Sequence, residues 1–131
     1  MIDPTSHRVI RILAVLAHIG AIYFAIQTDV GGEEQGGTLT GPLIRANAIG
    51  CLCFLGSIIL VLLNSGFARP LSIGGALGIA AWQSWRLFPG IWCAAGNCHA
   101  EPQLFVFDAT SMLAVTFAIG AVILTFRAVK K

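Results

Sequence analysis

The sequence predicts an all-α integral membrane protein: four transmembrane helices in an antiparallel bundle, with both termini cytoplasmic. Three observations predict it. First, 56% of the 131 residues are hydrophobic and 11% charged, and the mean hydropathy is +0.83, which is too apolar to maintain a soluble surface. Second, four apolar runs, about 9–27, 43–63, 71–92 and 104–126, reach the ~20 residues that a spanning helix needs. Third, Arg8, Arg11, Arg69, Arg127, Lys130 and Lys131 lie at the N-terminus, the second connection and the C-terminus, which a four-span chain puts on one side. Arg45 and Arg86 fall toward the other, with Asp29, Glu33, Glu34, Glu101 and Asp108. The positive-inside rule makes the first side the cytoplasm or its topological equivalent, and a bacterial inner (plasma) membrane is the expected location. The segments between the runs are too short to be domains, so residues 1–131 are expected to form one transmembrane unit.

The first run is read as a retained helix. Arg8 and Arg11 resemble the basic region of a signal peptide, but the apolar stretch is longer than such a segment uses and no small-x-small site precedes the polar loop. His18 stands near its centre. The loop that follows, TDVGGEEQGGTLTG, is glycine-rich and acidic, and it lacks the fixed alternation and closing glutamate of a calcium loop.

Pro4, Pro42, Pro70 and Pro102 each stand just before one of the four runs, where a missing N–H costs little, and Pro89 is expected to stop or bend the third helix. The second helix begins beside Arg45 and carries Cys51 and Cys53 near its middle. If Cys53 and His18 share a depth they are a candidate metal or proton site. Against this, two ligands do not complete a site, and a histidine hydrogen-bonded across the bundle with cysteines as small fillers explains the same residues.

The third helix gathers Trp82, Trp85 and Trp92 toward its outer end. Trp82, Trp85 and Arg86 share a face by spacing. Interfacial anchoring is the simplest role for the tryptophans, and Arg45, Trp82 and Trp85 are the candidates for holding a ligand or headgroup. Beyond it, Cys93 and Cys98 lie in an outer segment where a disulfide persists, as a staple or as a redox pair. The fourth helix is expected to hold Asp108 about one turn inside its outer end. A charge at that depth needs a partner, and Arg86 is the expected one, in a buried ion pair.

Small residues at four-residue spacing, Ala17-Ala21-Ala25, Ala46-Gly50, Gly74-Gly78 and Thr110-Ala114-Ala118, mark the expected contact faces of the helices. The chain has no CxxC pair, phosphate-binding glycine loop or metalloprotease motif, and no motif specifies a cofactor or a catalytic residue. A net charge of +2 is no footprint for nucleic acid. The expected partners are the lipid bilayer and other membrane subunits or further copies of the chain. Three classes of function remain: a non-catalytic accessory, structural or assembly subunit of a larger membrane complex; an oligomeric transporter or channel with His18, Cys53, Gln83 and Thr116 along its path; and a thiol-disulfide or quinone-linked oxidoreductase using Cys93 and Cys98.

Overall fold

The computed structural model describes residues 4–29, 40–88 and 108–129. Among them are four α-helices: α1 (Pro4–Asp29), α2 (Thr40–Leu62), α3 (Ala68–Leu87) and α4 (Ala109–Ala128). Three of them, α1, α2 and α4, contain stretches long and apolar enough to cross a membrane. At 1.5 Å per residue, the 20 residues of α4 span about 30 Å, the thickness of a bilayer's hydrocarbon core.

The helices run up, down, up, down. The C-terminal ends of α1 and α3 meet the N-terminal end of α4 through Thr28, Arg86 and Asp108. At the opposite end, Arg11 of α1 meets the last turn of α2, and Arg69 of α3 meets the last turn of α4. The tightest pairings are α2 with α3 and α1 with α4.

Small residues set both pairings. Ala14, Ala17, Ala21 and Ala25 line the inner face of α1, and Ala114, Ala118 and Ala121 that of α4. Between α2 and α3 the backbones nearly touch. A Cβ added at Gly50 would stand 2.7 Å from Gly75 O and 2.9 Å from Ile79 N, so only glycine permits this approach. The contact face of α3 is Gly75 with Gly78, a register different from the expected Gly74-Gly78, and Gly74 has open space about it.

The outer surface is the reverse of a soluble protein's. Ile12, Ile19, Leu52, Leu55, Leu77, Ile119 and Ile123 are exposed, while His18, Asn47, Gln83 and Ser111 are buried. A solvent of hydrocarbon makes such an arrangement favourable, and water does not.

Helix ends follow local chemistry. Pro4, Pro42 and Pro70 all fall in first turns, where no intrahelical N–H bond is lost. α2 stops in a turn made by Asn64 at φ 56°. Ser65 N donates to Leu60 O and Asn64 N to Val61 O, the paired bonds of a Schellman stop with asparagine in the left-handed position. α3 ends at Leu87 rather than near 92, because the residue before a proline is forced out of helical geometry, and Phe88 has φ −128° and ψ 59°. The described part of the last helix begins at Ala109, five residues beyond the expected start at 104.

Candidate functional site

The polar groups turned inward form two clusters. The larger lies where the C-terminal ends of α1 and α3 meet the start of α4, and its hub is the hydroxyl of Thr28. That hydroxyl donates to Ala25 O at 2.7 Å and accepts from Trp82 Nε1 at 3.1 Å and Gln83 Nε2 at 2.9 Å. One proton given and two lone pairs filled exhaust a hydroxyl. Gln83 must therefore present its NH2 to Thr28, and its Oε1 accepts no hydrogen bond from the described residues. Asn47 is oriented by the same logic: Ala25 O can only accept, so Asn47 donates Nδ2 at 3.2 Å and its Oδ1 has no partner among the described residues. Asn47 ties α2 to this hub, so all four helices are joined at one end.

Arg86 completes the cluster. Its Nη2 lies 2.6 Å and its Nε 3.2 Å from Asp108 Oδ2, its Nε also reaches Ser111 Oγ at 3.2 Å, and its Nη1 reaches Thr28 O at 3.3 Å. The last contact satisfies a carbonyl in the final turn of α1, at the negative end of that helix dipole. Asp108 divides its oxygens between two tasks. Oδ1 accepts from Thr110 N and Ser111 N as the N-cap of α4, while Oδ2 takes Arg86 and the Ser111 hydroxyl. Asp108 thus precedes the helix instead of sitting a turn inside it. The Ala-Thr-Ser sequence after an aspartate carries that cap signal, which the apolar run before it obscures. Burial works against the ionised carboxyl, but hydrogen bonds from Arg86 and Ser111 and the charge of Arg86 outweigh it and hold Asp108 below the usual carboxylate range. It is an acceptor at neutral pH, not an acid catalyst.

The second cluster lies nearer the opposite end. His18 Nδ1 is 2.6 Å from Ala14 O and its Nε2 is 2.9 Å from Ser57 Oγ, which is itself 3.3 Å from Ala68 O. A carbonyl only accepts, so Nδ1 carries a proton. In the neutral ring Nε2 then accepts the Ser57 proton, and in the charged ring Nε2 donates and Ser57 turns to Ala68 O. Phe54 packs edge-on against the imidazole at 4.8 Å.

Arginines cap two further helices at this end. Arg11 Nη2 bonds Val61 O and Leu62 O of α2, and Arg69 Nη2 bonds Phe126 O and Val129 O at the end of α4. Guanidiniums read from sequence as topology markers therefore bond carbonyls in the last turns of neighbouring helices. Thr28, Asn47, Ser57 and Ser111 were not singled out from sequence. A signal existed: Thr28 extends the Ala17-Ala21-Ala25 stripe, and Ser111 begins the stripe continued by Ala114, Ala118 and Ala121.

The structure separates the other sequence candidates. His18 bonds Ser57 one turn beyond Cys53, which is half-buried, and the described residues contain no group of three ligands able to hold a metal. Arg45 is exposed and is not among the described bonding partners of Arg86 and Asp108. Trp82 and Trp85 pack inside the bundle with Leu43 instead of facing the interface, because the Trp82 N–H finds its acceptor in Thr28. Thr116 is exposed and bonds back to Met112 O. Cys93, Cys98 and Trp92 lie outside the described residues.

Comparison with protein-family models, with characterised proteins and with solved structures gives no match, so the reading of function rests on these side chains.

Proposed function

We propose that this chain is an integral membrane protein with both termini cytoplasmic, acting as a non-catalytic accessory, structural or assembly subunit of a larger complex in a bacterial inner membrane. One observation carries the reading: most of the described inward polar side chains, Thr28, Asn47, Gln83, Ser111, His18 and Ser57 among them, bond from one helix to another. Arg86, Asp108, Thr28 and Ser111 lock one end, and Arg11, Arg69 and the His18–Ser57 pair tie the other. Such a bundle keeps its shape through its own bonds and leaves an apolar exterior for lipid and for neighbouring helices.

The orientation is supported by the bases left outside these bonds. Arg8 and Arg127 are exposed at the end carrying both chain termini, and Arg45 is exposed at the other. Transport along His18 and Gln83 has less support, since both are fully buried and engaged in helix-to-helix bonds.

The test is isolation of the tagged chain from native membranes in mild detergent. A partner in fixed stoichiometry, retained through size exclusion, is the expected outcome. Recovery as a lone monomer overturns the subunit reading. Reporter fusions at each terminus should report the cytoplasm, and a periplasmic signal from either overturns the orientation.

A further inference from the structure

Two grooves on the described apolar exterior differ in charge. One, of about 390 Å³, is lined by Arg8, Arg11, Ile12, Val15 and Leu16 of α1 and Leu62 of α2. The other, of about 340 Å³, runs between α3 and α4 and is lined by aliphatic side chains alone, among them Ile73, Leu77, Val115 and Ile119.

Helical spacing sets the first groove. Positions 8, 11, 12, 15 and 16 form one stripe of α1, with both arginines at its N-terminal end and the aliphatic residues running toward the bundle's middle. Arg11 is fixed there because its Nη2 holds the last carbonyls of α2. Arg8 is exposed, and no described side chain pairs with it. The result is two guanidiniums at the mouth of a hydrocarbon slot. A soluble anion satisfies only the mouth, and a neutral lipid only the slot. A phospholipid of net negative charge fits both, with its phosphate at the level of the helix end and one acyl chain pointing inward.

We infer that the groove of α1 and the last turn of α2 binds one anionic phospholipid, its phosphate on Arg8 and Arg11 and an acyl chain against Ile12, Val15, Leu16 and Leu62. The inference rests on the membrane reading above. The α3–α4 groove, which has no cation, takes lipid without regard to headgroup.

The full chain in mild detergent is titrated with phosphatidylglycerol and with phosphatidylcholine of identical acyl chains, and bound lipid is counted by native mass spectrometry. Retention of one phosphatidylglycerol with several-fold preference is expected. Arg8→Gln, which removes no bond among the described residues, should lower that preference about fivefold, near the effect of one basic residue at an anionic surface. Leu16→Trp should block the slot and reduce phosphatidylglycerol retention, whereas Leu77→Trp in the other groove should leave the preference unchanged. Equal retention of the two lipids by the parent, or an undiminished preference in Arg8→Gln, overturns the inference. So does a parent that runs as a lipid-free dimer, which would give the groove to a second copy. Carbonate extraction separates the two failures: a chain released from membranes overturns the membrane reading, while an inserted chain without lipid preference overturns only the lipid site.

Discussion

Arg86 Nη2 lies 2.6 Å from Asp108 Oδ2, joining the last turn of α3 to the N-cap of α4. Because the same carboxylate caps α4 through its other oxygen, its two roles can be separated by substitution. Asp108→Asn keeps a capping oxygen but loses the charge, leaving Arg86 partly buried without its counterion. A cost of about 2 kcal/mol is expected, the worth of a charge-assisted hydrogen bond. Asp108→Ala loses the cap as well and should cost about 1 kcal/mol more. Thermal unfolding in detergent of both variants checks this. A double-mutant cycle with Arg86→Gln should return a coupling for the pair, and an Asp108→Asn protein as stable as the parent would show that the pair contributes nothing.

The pH dependence has a definite sign. The folded state holds the Asp108 carboxyl below its ordinary range, and the unfolded value is near 3.9. The folded protein therefore binds fewer protons in this window, and stability rises with pH there. The contribution of Asp108 is complete above about pH 5 and disappears as the pH falls through the lowered folded value. The difference in melting temperature between the parent and Asp108→Asn should be constant from pH 5 to 7 and shrink below pH 4. A difference that grows on acidification contradicts the assignment.

The α2–α3 contact predicts a contrast among glycines. At Gly50 an added methyl meets the backbone of Gly75 and Ile79, which cannot rotate aside, whereas at Gly74 it meets open space. Gly50→Ala should cost about 1–3 kcal/mol by overpacking. Gly74→Ala should be neutral or stabilising by up to about 1 kcal/mol, since glycine is the poorer helix former. Equal melting temperatures for the two variants would show that the helices are not in backbone contact.

How much of this was legible depends on the kind of signal. Helix number followed from run length, although of the described helices only α1, α2 and α4 contain stretches long and apolar enough to cross a membrane. Helix ends were less legible because hydropathy continues past the true stop: the 71–92 run ignores the constraint that Pro89 places on Phe88, and the 104–126 run overlooks the cap at Asp108. Cost alone suggested pairing Arg86 with Asp108. The surroundings of that pair were not legible. Apolarity does not distinguish lipid-facing from bundle-facing sides, so Trp82 and Trp85 read as interfacial although they are buried. Thr28 and Ser111 look like ordinary small residues until the register of their alanine stripes is followed to its end.

Thr28 provides the sharpest test of the cluster, because its hydroxyl has no spare capacity. Thr28→Val is nearly isosteric, yet it leaves the Trp82 N–H and the Gln83 NH2 without an acceptor and removes a bond to Ala25 O. At roughly 0.6 kcal/mol per interhelical bond in membrane proteins, the loss of the two bonds from Trp82 and Gln83 should cost about 1 kcal/mol. Thr28→Ser keeps the oxygen and should cost well under 1 kcal/mol, mostly through a lost methyl. Trp82 fluorescence reports the change directly: its emission should shift in Thr28→Val, where the indole N–H loses its partner, and stay in place in Thr28→Ser. If the two variants melt and emit alike, the hydroxyl is not the hub, and the orientation derived for Gln83 falls with it.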